Sequence, residues 1–364
     1  MASENNCQHS LEASLNGMTH CRVYQEETQL STDHYVDEDN IATDTRESGR
    51  TRFIYSSNKS SSAASSTIVA NDDAIVTTRY DSCDLLDERN HYDWELVDKN
   101  VLQTALNFRK ELISWHSDNK KLKKQIYTIN KGYLTLRLDH ITDKKQIDTI
   151  RNFFKQAMQE CDPRHIVKAY SLSQSFSKLL NKDMARIVLH DIDKGCSKFS
   201  CDTLYTTQEG TKSIASILFY HPGFIIYHGT VYRGIFDSRE LANIQVNRCI
   251  MTNTFLSTSK LPEIADIFAA YNRTEHKLDQ EDKEGEVSIG CTFIIKNING
   301  NRRALDISGI SERAYEEEVL LLPYSVFRIT KRETVELQNN KGKRIEIEFE
   351  ECDQTQLRAS FSYQ

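Results

Sequence analysis

From Tyr92 onward apolar residues recur at three- and four-residue intervals: Trp94, Leu96, Val97, Val101, Leu102, Ala105, Leu106, Phe108, Leu112 and Ile113. Such spacing lines one face of an amphipathic helix. Runs of the same period predict helices over residues 144–160, 172–191 and 209–220. Past His221, Pro222 and Gly223 the period shortens. Residues 224–233 are rich in β-branched and aromatic side chains, as are 250–256, 287–295, 303–307, 319–330, 334–337 and 344–350, and these runs predict strands. One helix, 261–271, is expected among them. Asn339, Asn340, Lys341 and Gly342, lying between two alternating runs, read as a hairpin turn. Helices first and strands afterwards, largely without βαβ alternation, predict an α+β fold rather than a doubly wound sheet. Residues 1–90 show no period. They are polar, acidic in patches and interrupted by a serine-rich run at 56–66, so a disordered tail is expected there.

Composition narrows the function more than the fold. The 364-residue chain carries a formal charge of −7, which argues against a general nucleic-acid binder. Its basic run at 119–124 has helical spacing with Leu122 and Ile126 and reads as a solvated helix face. The first thirty residues lack an apolar core segment and no eighteen-residue apolar run occurs, so neither export nor a membrane span is expected, and the protein is expected in the cytoplasm. Nine cysteines, an odd number, show no spacing that predicts zinc or any other metal. Cys196 and Cys201 are the nearest pair, open to reading as a disulfide or as two ordinary thiols.

Candidate chemistry begins at residues 314–323, AYEEEVLLLP, where three carboxylates precede a strongly apolar run. A buried carboxylate is costly without a partner. If the strand already runs through the triplet, Glu316 and Glu318 share one face, roughly 6–7 Å apart, and Glu317 takes the other. Two carboxylates on one face can act on one ligand; the ordinary alternative is a solvated acidic loop. Arg233, followed by Gly234 at a strand end, can meet a phosphate bidentately, although an arginine there is usually a surface residue. In residues 255–259, Ser257 and Ser259 face one way and Thr258 the other. Their hydroxyls can hold a ligand group, or simply cap the helix entered at Pro262. Phe268, on that helix, has a core aromatic as its ordinary reading.

In order and spacing these segments resemble the arginine-specific mono-ADP-ribosyltransferases, whose marks are an Arg on one strand, Ser-x-Ser on a second and Glu-x-Glu before a third. Arg233, Ser257–Thr258–Ser259 and Glu316–Glu317–Glu318 match, and Val319 and Leu320 continue the family's Glu-Val-Leu. The resemblance covers about residues 200–330. It implies an α+β, ADP-ribosyltransferase-like fold with two packed, mostly antiparallel sheets and an N-terminal helical lobe. The implied organisation is a tail at 1–90, a helical lobe at 91–200 and a catalytic core at 201–352. The implied reaction is mono-ADP-ribosylation of arginine in an acceptor protein with NAD as substrate and without a metal. Arg233 would hold the NAD phosphates and Gly234 offer its backbone. Ser257, flanked by Thr258 and Ser259, would support the catalytic Glu318. Phe268 would stack on nicotinamide, and Glu316 would orient the acceptor guanidinium. An NAD glycohydrolase and a catalytically silent NAD- or ADP-ribose-binding module are the alternatives. One departure stands out: five positions before the catalytic glutamate, where the family often carries an aromatic residue, this chain has Arg313, with Tyr315 as the candidate substitute. His228 and Tyr232 also point to the relatives of this fold that use His and Tyr, a version the full Arg, Ser-Thr-Ser and Glu-x-Glu set disfavours.

Overall fold

The computed structural model describes residues 92–114, 118–193, 199–238, 244–276, 286–336, 343–354 and 357. The chain divides into two units, Met1–Ala74 and Ile75–Gln364, and every described residue belongs to the second. The predicted tail at 1–90 therefore lies outside the described residues, as does Cys196, while Cys201 is a free thiol.

The helical period resolves into α1 (Lys99–Ser114), α2 (Asn119–Thr128), α3 (Lys144–Glu160), α4 (Arg164–Leu172), α5 (Gln174–Ile192) and α6 (Asp202–Tyr220). Three of their starts are set by side chains that satisfy orphan backbone N–H groups. Asp118 accepts from Lys120 N and Lys121 N, and Asp143 from Lys145 N and Gln146 N. Ser173 does the same for Phe176 N. With extended backbone at φ −148° and ψ 147°, Ser173 also splits the single helix predicted over 172–191 into α4 and α5. Inside this layer Asp183 is fully buried among Arg137 at 2.8 Å, the Tyr133 hydroxyl at 2.9 Å and Arg186, so its charge is balanced where water cannot reach it. Among the described residues no helix is long and apolar enough to cross a membrane.

The strands are β1 (Trp94–Leu96), β2 (Ile225–Ile226), β3 (Gly229–Ser238), β4 (Cys249–Thr252), β5 (Leu256–Ser259), β6 (Glu286–Ile295), β7 (Ala304–Asp306), β8 (Glu318–Leu321), β9 (Val326–Glu336) and β10 (Lys343–Glu351), with α7 (Pro262–His276) between β5 and β6. Glu336 pairs with Lys343 across β9 and β10, and the turn expected at 339–342 between them lies outside the described residues. The strands form one ladder, in the order β1-β4-β9-β10-β6-β3-β5-β8-β7-β2. Among the described residues only β10 and β6 run parallel. Two packed sheets were expected; one mixed ten-stranded sheet is found, because β3 is joined to β5 by the single register pair Tyr232–Ser259.

Alternation along the strands then builds two cores. Met251 of β4 and Leu320 of β8 pack with the helices. Ile250, Val319 and Leu321, one residue away, pack instead with Val231, Phe293 and Phe349 of β3, β6 and β10. Trp94 of β1 lies 5.8 Å from Phe349, three strands away in the order, so the ladder curls back on itself between β1 and β10.

Candidate active site

Strand β3 brings Arg233 to the short junction with β5. The next residue, Gly234, is dictated by packing: a Cβ there would lie 1.8 Å from Ala265 O and 2.8 Å from Ala269 N, both backbone atoms of α7. Glycine lets α7 rest directly on β3, and that contact presents Phe268, half-buried, to a cavity of about 290 Å³. Arg233, Ser257, Thr258, Ser259, Glu316 and Glu318 line the same cavity. Residues far apart in the chain thus meet in one concave space.

Within it the guanidinium of Arg233 is already committed. One nitrogen donates to Ser257 O and another to Asp93 Oδ2, both at 2.8 Å. Asp93 is fixed in turn by the Thr254 hydroxyl at 3.2 Å. Arg233 therefore sets the backbone of Ser257, whose hydroxyl hydrogen-bonds both Glu318 and the buried Tyr170. Thr258 gives its hydroxyl to Val319 O at 2.6 Å. Ser259 donates to Glu316 O at 2.7 Å and accepts from Leu261 N at 2.9 Å. Ser259 thus closes a turn ahead of α7 instead of capping it, since Leu261 precedes the helix, and at the same time pins the turn carrying Glu316.

The glutamates are sorted by a turn, not by strand alternation. Residues Ala314–Glu316 form a 3-10 turn, Glu317 is left-handed at φ 44° and ψ 48°, and β8 begins only at Glu318. The expected strand face is absent, yet the outcome it predicts is present: Glu316 and Glu318 border the cavity while Glu317 turns out to Lys260 at 3.2 Å. Glu318 is 4% exposed. Burial pushes its carboxyl above the ordinary glutamate range and the charge of Glu316 adds to the effect, against hydrogen bonds from Ser257 and Ser311 and the charge of Arg313. The Ser311 hydroxyl donates to Glu318 Oε2 at 3.1 Å. Glu316 accepts from Arg313 Nη1 at 3.3 Å.

Three of these residues, Asp93, Tyr170 and Ser311, enter the site only through the fold, and Arg313 is the residue noted in the sequence five positions before Glu318. The opposite wall is polar, with Gln174, Ser177, Lys178 and Asn181 at helical spacing on α5. Among the described residues a possible metal-ligand grouping, Glu160, Asp162 and His165, does not border the cavity; Asp162 is held by Arg164 and His165 by Glu160.

No protein-family model matches the chain, and no curated protein matches it. Among solved structures it is similar to the Vis toxin, an ADP-ribosyltransferase from Vibrio splendidus, at 18% identity over 58% of this chain and 87% of that one, TM-score 0.35. It is also similar to the type III effector XopAI from Xanthomonas axonopodis pv. citri, at 14% identity over 71% and 95%, TM-score 0.39. A third similar structure is the ADP-ribosyltransferase HopU1 of Pseudomonas syringae pv. tomato, at 13% identity over 64% and 97%, TM-score 0.33.

Proposed function

We propose that the protein transfers ADP-ribose from NAD to the guanidinium of arginine in a protein acceptor, releasing nicotinamide. The observation that carries this reading is the pair of glutamates in one cavity, Glu318 buried on a hydroxyl-lined floor and Glu316 beside it, with Glu317 turned away. Breaking the bond between ribose and nicotinamide develops positive charge on the ribose, as in glycoside hydrolysis. Glu318, held by Ser257 and Ser311, is preorganised to meet that charge where water is excluded. Phe268 offers a flat apolar wall for the nicotinamide ring. Glu316 is the anion for the second cation, the acceptor guanidinium, and the base for the proton it loses. Arg233 acts by fixing the Ser257 carbonyl while Asp93 holds its other nitrogen.

Nicotinamide release, measured with and without agmatine as an arginine analogue, tests the proposal. Glu316→Gln is expected to lose transfer to agmatine while hydrolysis of NAD by water persists, and Glu317→Gln to retain both activities. Equal losses at the two positions would reject the division of roles, and an absence of nicotinamide release from the wild-type protein would reject the enzyme.

The acid limb of the hydrolysis profile supplies a separate check. Only ionised Glu318 can stabilise the developing cation, and its folded carboxyl titrates above the ordinary range. Hydrolysis should therefore decline on acidification at a higher pH than an unperturbed glutamate would give. Since the charge of Glu316 contributes to the upward shift, Glu316→Gln should move that limb to lower pH. A limb unmoved by this substitution would show that another group controls it.

A further inference from the structure

The place assigned above to an acceptor guanidinium is filled by one from the same chain. Arg313 borders the cavity, and its Nη1 lies 3.3 Å from Glu316 Oε1. Its charge also reaches Glu318, whose carboxyl it pulls downward. The position is built into the loop. Arg313 N donates to the Ser311 hydroxyl at 3.1 Å, and Glu312 N to the Ser171 hydroxyl of α4 at 3.0 Å. Ser259 holds the Glu316 backbone on the other side. The other arginine bordering the cavity, Arg233, is tied to Asp93 and the Ser257 carbonyl. Arg313 has the single long ion pair to Glu316 and keeps about a third of its side chain exposed, at 32%.

We propose that Arg313 is an acceptor for the protein's own reaction, so that the enzyme ADP-ribosylates itself at this residue. The inference rests on the reading that the cavity takes NAD and that Glu316 receives guanidinium groups. In the step, a bond forms between a terminal nitrogen of Arg313 and C1 of the ribose as the bond from C1 to nicotinamide breaks. The electron pair of the broken bond leaves with nicotinamide, which becomes neutral, and one guanidinium proton passes to Glu316. The product guanidinium keeps its positive charge, and no co-reactant beyond NAD is needed.

Two consequences separate this from a static ion pair. A group tethered beside the site acts at effective concentrations on the order of millimolar without any outside partner. Self-modification should therefore proceed at a rate per chain that does not change on dilution. Arg313 should also compete with a free acceptor. Arg313→Lys, which keeps the charge but lacks the guanidinium, should abolish the mass gain and raise transfer to agmatine.

The test is intact-mass and peptide-level mass spectrometry of the full chain incubated with NAD alone, at two protein concentrations, alongside the nicotinamide released. One ADP-ribosyl group per chain, mapped to Arg313 and formed at a concentration-independent rate, is the expected result. Nicotinamide release with Arg313 unmodified, or modification confined to other arginines, overturns the inference and leaves the proposed reaction standing. A rate that rises in proportion to protein concentration also overturns it, since the modification then passes between molecules. No nicotinamide release at all overturns the reaction, and the inference with it.

Discussion

Replacing Glu318 by glutamine should abolish both transfer and hydrolysis of NAD, by about 10²–10³-fold or more, because the charge facing the ribose cation is lost while the shape is kept. The same substitution should make the folded protein more stable at neutral pH. Glu318 is buried and its carboxyl is raised by desolvation. A carboxylate whose folded value lies above its unfolded value binds protons more readily when folded. Stability therefore falls as pH rises from the unfolded value through the folded one, and stays reduced above it. Glutamine removes that ionisation, so the variant's melting temperature should exceed that of the wild type at pH 7. The gap should close on acidification below the unfolded value. An inactive variant that melts earlier at pH 7 would mean that the ionised carboxylate supports the fold, and would remove the case for strain held at a catalytic group.

The second large effect is expected at Gly234. Alanine would place its methyl carbon 1.8 Å from the Ala265 carbonyl oxygen and 2.8 Å from Ala269 N. Both are main-chain atoms inside α7, so no side-chain rotation relieves the clash; the helix must move off β3. Overpacking of this kind typically costs about 1–3 kcal/mol and sometimes more. Because α7 carries Phe268, the displacement should also weaken NAD binding. The measurement is a chemical denaturation curve with NAD titration of the surviving folded protein. Gly234→Ala with unchanged stability and unchanged NAD affinity would show that the helix is free to shift.

That glycine illustrates how the chain can be read and where reading stops. A Gly after Arg233 signalled a close backbone approach, and there is one, but the partner is α7. Nothing local in residues 232–236 names that helix. Strands β6 and β10 were legible because their patterns persist over uninterrupted runs, and α3 because its apolar face keeps a strict period between two clear ends, whereas the run 224–233 merged β2 with β3 and the run 319–330 merged β8 with β9. The split at Ser173 was hidden, since the apolar period runs on across it and only the serine's capping bond marks the break. Grouping of Arg233, Ser257, Glu316 and Glu318 was legible from motif order. Their supports were not: Asp93 sits 140 positions from Arg233, and Tyr170 lies 85 from the Phe255 carbonyl its hydroxyl meets. Glu317 is the instructive case. The alternation rule assigned its direction correctly although the residue is left-handed and outside the strand, so a correct side was reached from a backbone geometry that is absent.

The order of the strands also constrains how the protein can be made. Strand β10, which emerges after the other nine described strands, lies in the interior of the sheet, bonded to β9 on one side and to β6 on the other. Until it is delivered, β6 has β3 alone as a neighbour in the ladder, and β1, β4 and β9 have no strand pairing to the part that bears Arg233. Pairings between strands this distant in sequence form slowly, because loop closure must precede the contacts that reward it. A nascent chain halted before Lys343 would expose two long unpaired edges, on β6 and β9, each a template for pairing with another molecule. Asp93, just before β1, therefore reaches Arg233 across a ladder that β10 closes, and a chain cut before β10 would present an aggregation hazard.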